Sequence, residues 1–146
     1  MRKLVDEGKL PLSDELLTPT RLYSPTVLNV VDAVREAGLR VGGLAHVTGG
    51  GLRRNLPRAL PDSLGADVDP ATWPQPQIFE RIAMATGMLG SEMRATFNCG
   101  IGFAIVVEPK AVDVALDVLE AARIEALEIG TVVSTTDLDG EHYIEE

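Results

Sequence analysis

Helices and strands alternate along this chain, which predicts an α/β (α+β) domain built in two or three layers. Three observations carry that expectation. Val27, Leu28, Val30, Val31 and Val34 recur at the helical period between Pro25 and Gly38. Val41 to Val47 and Ile101 to Val107 are short apolar runs of strand length. The chain has 146 residues, 45% hydrophobic and 24% charged, which suits one domain over residues 1–146 with a mixed sheet flanked by helices.

In chain order, residues 1–10 can continue a helix, and Pro11 and Pro19 break the next segment. Leu16 to Tyr23 reads as extended or turn structure. Pro25 suits a first helical turn and Gly38 a helix end, so a helix is expected between them. Val41 to Val47 reads as a buried strand running straight into Thr48-Gly49-Gly50-Gly51. Leu52 to Leu60 reads as a helix that Pro57 must bend or end. Pro61 to Trp73 is turn-rich, with Asp69-Pro70 inside it. Gln77 to Thr86 reads as a helix with Ile78, Ile82 and Ala85 on one face, and Gly87 and Gly90 bound a short connection. After the Ile101–Val107 strand, Pro109 starts a helix lined by Val112, Leu116 and Leu119. Ala126 to Val133 reads as a further strand. Asp139-Gly140 lies between Thr135-Thr136 and His142-Tyr143-Ile144, a hairpin signal. The acids Asp137, Asp139, Glu141, Glu145 and Glu146 read as a solvated edge.

The formal net charge of -9 argues against a non-specific nucleic-acid binder, which needs a basic surface to neutralise phosphates. No apolar run reaches the length of a membrane span. The N-terminal residues Met1-Arg2-Lys3-Leu4-Val5-Asp6-Glu7 show no apolar signal core. With one cysteine no intramolecular disulfide forms, so the cytoplasm is the simplest location. Two histidines and one cysteine, far apart, show no metal-ligand spacing.

The glycine run carries the most chemical information. A strand delivering Gly49, Gly50 and Gly51 into a helix start exposes backbone N–H groups at the positive end of a helix dipole, which suits a phosphate. Arg53, Arg54 and Arg58 add positive charge beside it. The same glycines also fit a tight turn or close backbone packing. The run has neither the Lys-Ser/Thr of the nucleotide-binding loop nor the spacing of dinucleotide sites. Asn55 and Arg58, three apart, read as a polar rim of such a site or as capping and solvation. His46 can act as acid, base or donor, or sit as a satisfied core histidine. Cys99, within Asn98-Cys99-Gly100, reads as a small buried residue in a tight entry to the next strand, because no base beside it is visible. Trp73, between Pro70 and Pro74, reads as a packing anchor.

Five ordered blocks together resemble the C-terminal domain of phosphoribosylformylglycinamidine cyclo-ligases, the AIR synthetases. They are Leu17-Thr18-Pro19-Thr20-Arg21-Leu22-Tyr23; Ala45 to Leu52 with Asn55-Leu56-Pro57-Arg58; Trp73-Pro74 with Ile78-Phe79; Glu92-Met93-Arg94 leading to Thr96-Phe97-Asn98-Cys99-Gly100-Ile101-Gly102; and Ile129-Gly130-Thr131-Val132. The resemblance implies a layered unit of that family, closing one side of a cleft. It implies ATP-dependent ring closure of formylglycinamidine ribonucleotide to aminoimidazole ribonucleotide, in a full enzyme that is a homodimer. ATP and Mg2+ would be held mainly by an N-terminal domain that this chain does not resemble.

On that resemblance the chain is expected to be a piece of a longer enzyme and inactive alone. Thr48, Gly49, Gly50, Gly51, Asn55 and Arg58 would meet a substrate or nucleotide phosphate, with His46, Asn98, Cys99 and Gly100 near the same cleft. No general base is assigned. The alternatives are a free-standing domain binding a phosphorylated metabolite or a partner protein, and the matching domain of a related ATP-using enzyme such as formylglycinamidine ribonucleotide synthase.

Overall fold

The computed structural model describes residues 2–145. Six α-helices and five strands make an α/β fold among them. After α1 (Arg2–Asp6) comes a 3-10 turn at Asp14–Leu17, then α2 (Ser24–Glu36) and β1 (Val41–His46). The glycine turn leads into α3 (Gly51–Asn55), and another 3-10 turn lies at Pro57–Ala59. Next come β2 (Leu64–Val68), α4 (Gln77–Thr86), α5 (Gly90–Thr96) and β3 (Phe103–Val107). The chain closes with α6 (Val112–Ala121), β4 (Gly130–Ser134) and β5 (Tyr143–Glu145).

The strands form two sheets. β1 pairs antiparallel with β3, setting Ala45 opposite Ala104 and His46 opposite Phe103. β2 lies at the centre of the other sheet, antiparallel to β4 and parallel to β5. The helix α2 ends as its sequence requires. Gly38 takes φ 73, its N–H bonds to Arg35 O at 2.9 Å, and Leu39 N–H bonds to Val34 O at 3.0 Å. That double closure is a Schellman motif. Val30 and Val34 of α2 then pack with Ala111 and Ala115 against Val41, Ile105 and Val107. A second cluster joins Ala45, Val47, Leu52, Leu56, Ala66, Val68, Trp73 and Tyr143, with Trp73 5% exposed. Trp73 is thus a packing anchor, and its indole N–H donates to Cys99 O at 3.1 Å. A third cluster gathers Leu10, Ile82, Met93 and Cys99 around α4 and α5.

The structure corrects several expectations. Leu64–Val68 lies inside the stretch read as turns, yet it is the central strand of its sheet, because its other faces are covered by Leu138, Tyr143 and the Trp73 cluster. α5 occupies residues read as a connection and a lead-in, held at its start by Leu89 N–H donating to Glu92 Oε2 at 2.8 Å. β1 is only half buried. Gly42, Leu44 and His46 face solvent because helices cover one side of the β1–β3 pair. The expected helix Leu52–Leu60 stops early: Pro57 converts its end to a 3-10 turn.

The hairpin at Asp139-Gly140 does not form. Asp139 (φ 53) and Gly140 (φ 91) do turn the chain, but Thr135–Leu138 winds as a 3-10 turn and carries the chain across β2. As a result β4 and β5 flank β2 on opposite sides. Glu145 does not belong to a solvated acidic edge either: its carboxylate pairs with Arg94 in a partly buried position. Glu146 lies outside the described residues.

Candidate functional site: the glycine turn

The ladder of β1 and β3 continues one step past β1, where Val47 N–H donates to Gly102 O at 3.0 Å. The chain then reverses through Thr48 to Gly51, closed by Gly51 N–H to Thr48 O at 3.1 Å. Gly50 and Gly51 both take positive φ, 93 and 60. Gly50 N–H donates to Thr96 O at 3.0 Å, tying the turn to the end of α5.

The three glycines have different reasons to be glycine. A Cβ on Gly51 would meet Arg94 O and Phe97 O, both backbone atoms, at 1.9 and 2.7 Å. A Cβ on Gly50 would press on the Arg54 side chain, at 2.6 Å from Cδ. Around Gly49 there is nothing within 4 Å, and its φ is not positive. Packing and backbone conformation therefore account for Gly50 and Gly51, whereas Gly49 presents bare main chain to open space. The N–H groups of Gly50 and Gly51 already donate to carbonyls, and α3 is a single short turn. A phosphate held by a long helix's N-terminal amides is not the geometry here.

Asn55 braces the turn from inside. Its Nδ2 donates to Gly51 O at 2.7 Å and to Gly49 O at 3.4 Å, and its Oδ1 accepts from Thr48 Oγ1 at 3.5 Å. Thr48 and Gly49 are exposed. Arg53, Arg54 and Arg58 are also exposed and form no ion pair among the described residues, although Pro57 puts Arg58 on a separate 3-10 turn. Arg53 and Arg54 on α3 and Arg58 on the next turn are thus exposed guanidinium groups without an ion pair among the described residues, on an acidic chain.

Asn98-Cys99-Gly100 forms the neighbouring turn, closed by Ile101 N–H to Asn98 O at 3.0 Å. It is joined to the glycine turn through Thr96 and Phe97, whose carbonyls face Gly50 and Gly51. Cys99 is 1% exposed and takes φ 46, unusual for a side-chain-bearing residue. Burial pushes its thiol up to about 11, with Arg94 opposing and Glu145 reinforcing the shift. A thiol so protonated is a packing group, not a nucleophile.

His46 is exposed, so it is not a core histidine. Its ring lies 6.1 Å from that of Phe103 and 5.9 Å from that of Tyr23, forming an aromatic face beside the strand that delivers the glycines. The other histidine, His142, places Nδ1 at 3.3 Å from Leu64 O.

A partly buried polar group beneath the turn escapes reading from sequence. Arg94 Nε donates to Glu145 Oε2 at 2.8 Å, and Tyr143 OH donates to Glu145 Oε1 at 2.9 Å. The two charged side chains are 20% and 19% exposed. Burial first, and then the Glu145 carboxylate, push the Tyr143 hydroxyl upward. Since Arg94 O is also the atom that excludes a Cβ at Gly51, this network fixes the wall on which the turn rests.

Residues 1–142 match the family model described as AIR synthase related protein, C-terminal domain. The chain belongs to that family. It is 43% identical over 140 residues to the phosphoribosylformylglycinamidine cyclo-ligase of Myxococcus xanthus, covering 88% of this chain and 39% of the relative. It is 40% identical to the enzyme of the same name from Burkholderia cenocepacia, over 86% of this chain and 34% of the relative. It is also 44% identical to the trifunctional purine biosynthetic protein adenosine-3 of Bos taurus, over 87% of this chain and 12% of that protein. The chain therefore spans little more than a third of the bacterial cyclo-ligases and matches their C-terminal portion. No helix among the described residues is long and apolar enough to cross a membrane.

Proposed function

We propose that this chain is the C-terminal part of a phosphoribosylformylglycinamidine cyclo-ligase, and that its glycine turn forms one wall of the enzyme's cleft. The observation that carries the site is Gly49. It is the one glycine of the three with no packing or conformational reason to lack a side chain, and the exposed Arg53, Arg54 and Arg58 follow it closely in sequence. Bare main chain next to guanidinium groups is where a phosphate can approach closely. Thr48 Oγ1 and the Gly49 backbone would meet the phosphate, and Arg53, Arg54 or Arg58 would balance its charge. Asn55, Gly50 and Gly51 hold the turn in shape. The names of the relatives support the reaction class.

The reaction would be ring closure of formylglycinamidine ribonucleotide. ATP would supply the phosphoryl group that activates the amide oxygen for departure. Catalysis of this kind rests on positioning and on stabilising charge around the transferring group, and exposed arginines beside a rigid turn suit that task. The turn fits a phosphate of ATP or of the ribonucleotide. No three His, Cys, Asp or Glu side chains cluster among the described residues, and the turn residues 48–55 carry no carboxylate of the kind that holds magnesium beside a phosphate. On the family resemblance, most ATP and metal contacts and much of the dimer interface would lie in the N-terminal domain of a cytoplasmic full-length enzyme.

Calorimetry with ATP tests this reading. Binding is expected only when this chain is mixed with the N-terminal portion of the M. xanthus relative. Tight binding of ATP by this chain alone would favour a self-sufficient binding module instead.

A further inference from the structure

The Arg94–Glu145 pair is poorly explained by stability alone. Its side chains are 20% and 19% exposed. Taking two charges that far out of water costs about as much as their attraction returns, and the best-attested use of such a pair is to fix one arrangement. Both carboxylate oxygens of Glu145 are occupied, Oε2 by Arg94 Nε at 2.8 Å and Oε1 by Tyr143 OH at 2.9 Å. The pair ends on the seat of the glycine turn. Arg94 O and Phe97 O stand where a Cβ on Gly51 would go, and Thr96 O accepts from Gly50 N–H at 3.0 Å. These carbonyls belong to the end of α5, a helix of seven residues with Met93 as its buried side chain. That length is far below the roughly 12–15 residues at which an isolated helix holds itself. The tie from Arg94 to β5 anchors it.

β5 also reaches the turn from its other side. Its Tyr143 packs in the same cluster as Leu52 and Leu56, which leave the turn along α3. Burial first, then the Glu145 carboxylate, raise the Tyr143 hydroxyl, and the charges of Arg94 and Arg53 oppose them. Arg53 of α3 is therefore within electrostatic reach of this network. We propose that Glu145 is a positioning residue for the anion at the turn: it holds Arg94, and with it the carbonyls under Gly50 and Gly51, so that Thr48 and Gly49 meet a phosphate in one geometry. Glu145 acts through Arg94 and touches no ligand itself. The inference rests on reading the turn as a phosphate wall, and it carries a distinctive sign. By charge alone a nearby carboxylate weakens anion binding, whereas by positioning Glu145 strengthens it.

The test is a titration of the full chain with inorganic phosphate at constant ionic strength, followed through the amide NMR shifts of Thr48 and Gly49. Glu145→Gln removes a negative charge, yet it is expected to weaken phosphate binding by about five-fold or more. Hydrogen exchange of the Gly50 and Gly51 amides should rise in this variant while that of α2 stays as in the parent. In an Arg94→Met chain the same substitution should weaken binding no further, because the link is already cut. Should Glu145→Gln not fold, Glu145→Asp takes its place: its carboxylate falls one methylene short of Arg94, so a smaller loss in the same direction is expected. Unchanged or tighter phosphate binding by the variant, or an equal further loss in the Arg94→Met background, would overturn the proposal. A parent chain whose amides do not shift at tens of millimolar phosphate would remove the phosphate wall and this proposal with it. Equal binding by parent and variant would remove the proposal alone.

Discussion

Replacing Gly51 with alanine should be far more damaging than replacing Gly49, although the two lie in the same turn. At Gly51 the backbone has φ 60, and the new Cβ would sit 1.9 Å from Arg94 O and 2.7 Å from Phe97 O. A left-handed conformation costs a non-glycine residue roughly 1–2 kcal/mol. Forcing apart packed backbone adds about 1–3 kcal/mol. The expected loss is therefore about 2–5 kcal/mol, or roughly 6–15 °C in Tm for a chain of this size. Gly49→Ala meets nothing within 4 Å at a φ that is not positive, so its stability should change by no more than about 1 kcal/mol in either direction. Thermal unfolding followed by circular dichroism measures both. Equal destabilisation by the two variants, or a Gly51→Ala protein within about 0.5 kcal/mol of the parent, would refute the division of the glycines into two packed and one open.

Two further predictions concern the wall beneath the turn. Because burial raises the Cys99 thiol from 9.0 to about 11, its contribution to stability is full below pH 9 and is lost as pH rises toward 11. Tyr143, shifted the same way, adds to that decline. Urea titrations at pH 8 and pH 10.5 should show the fall, and thiol reagents at pH 8 should label Cys99 only after denaturant is added; rapid labelling of the folded chain would contradict the buried assignment. Arg94→Met should destabilise by about 1–3 kcal/mol by stranding the Glu145 carboxylate, and adding Glu145→Gln should recover part of the loss. Strict additivity in that double-mutant cycle would mean that the pair does not act as a unit.

How much of the fold is legible in the sequence depends on the range of the interactions. The α2 helix, its glycine end and the β1–glycine–α3 passage follow from neighbours within a few residues, and the structure places them where their residues demand. β2 is hidden because Gly65 and Asp67 dilute its apolar content and Pro61 and Pro70 bracket it; the period-two signal Leu64, Ala66, Val68 is present but short. The parallel pairing of β5 with β2 depends on where a 3-10 turn sends the chain, which Asp139-Gly140 cannot reveal. The Arg94–Glu145 pair joins residues 51 apart, and nothing local marks it. Within the site, the glycine turn is visible from sequence, but which glycine stands open is not. That distinction rests on where the carbonyls of α5 fall. His46 resembles a core residue in sequence because apolar neighbours on both sides hide the fact that only one face of β1 is covered.

A composite active site, with this chain as one wall, is tested most directly by reconstitution. Ring closure of formylglycinamidine ribonucleotide with ATP would be measured for this chain, for the N-terminal portion of the M. xanthus relative, and for the two fused in family order. Turnover is expected from the fusion alone, reduced by Arg53→Ala, Arg54→Ala or Arg58→Ala without loss of Tm. Turnover by this chain alone, or a folded fusion with none, would contradict a composite site.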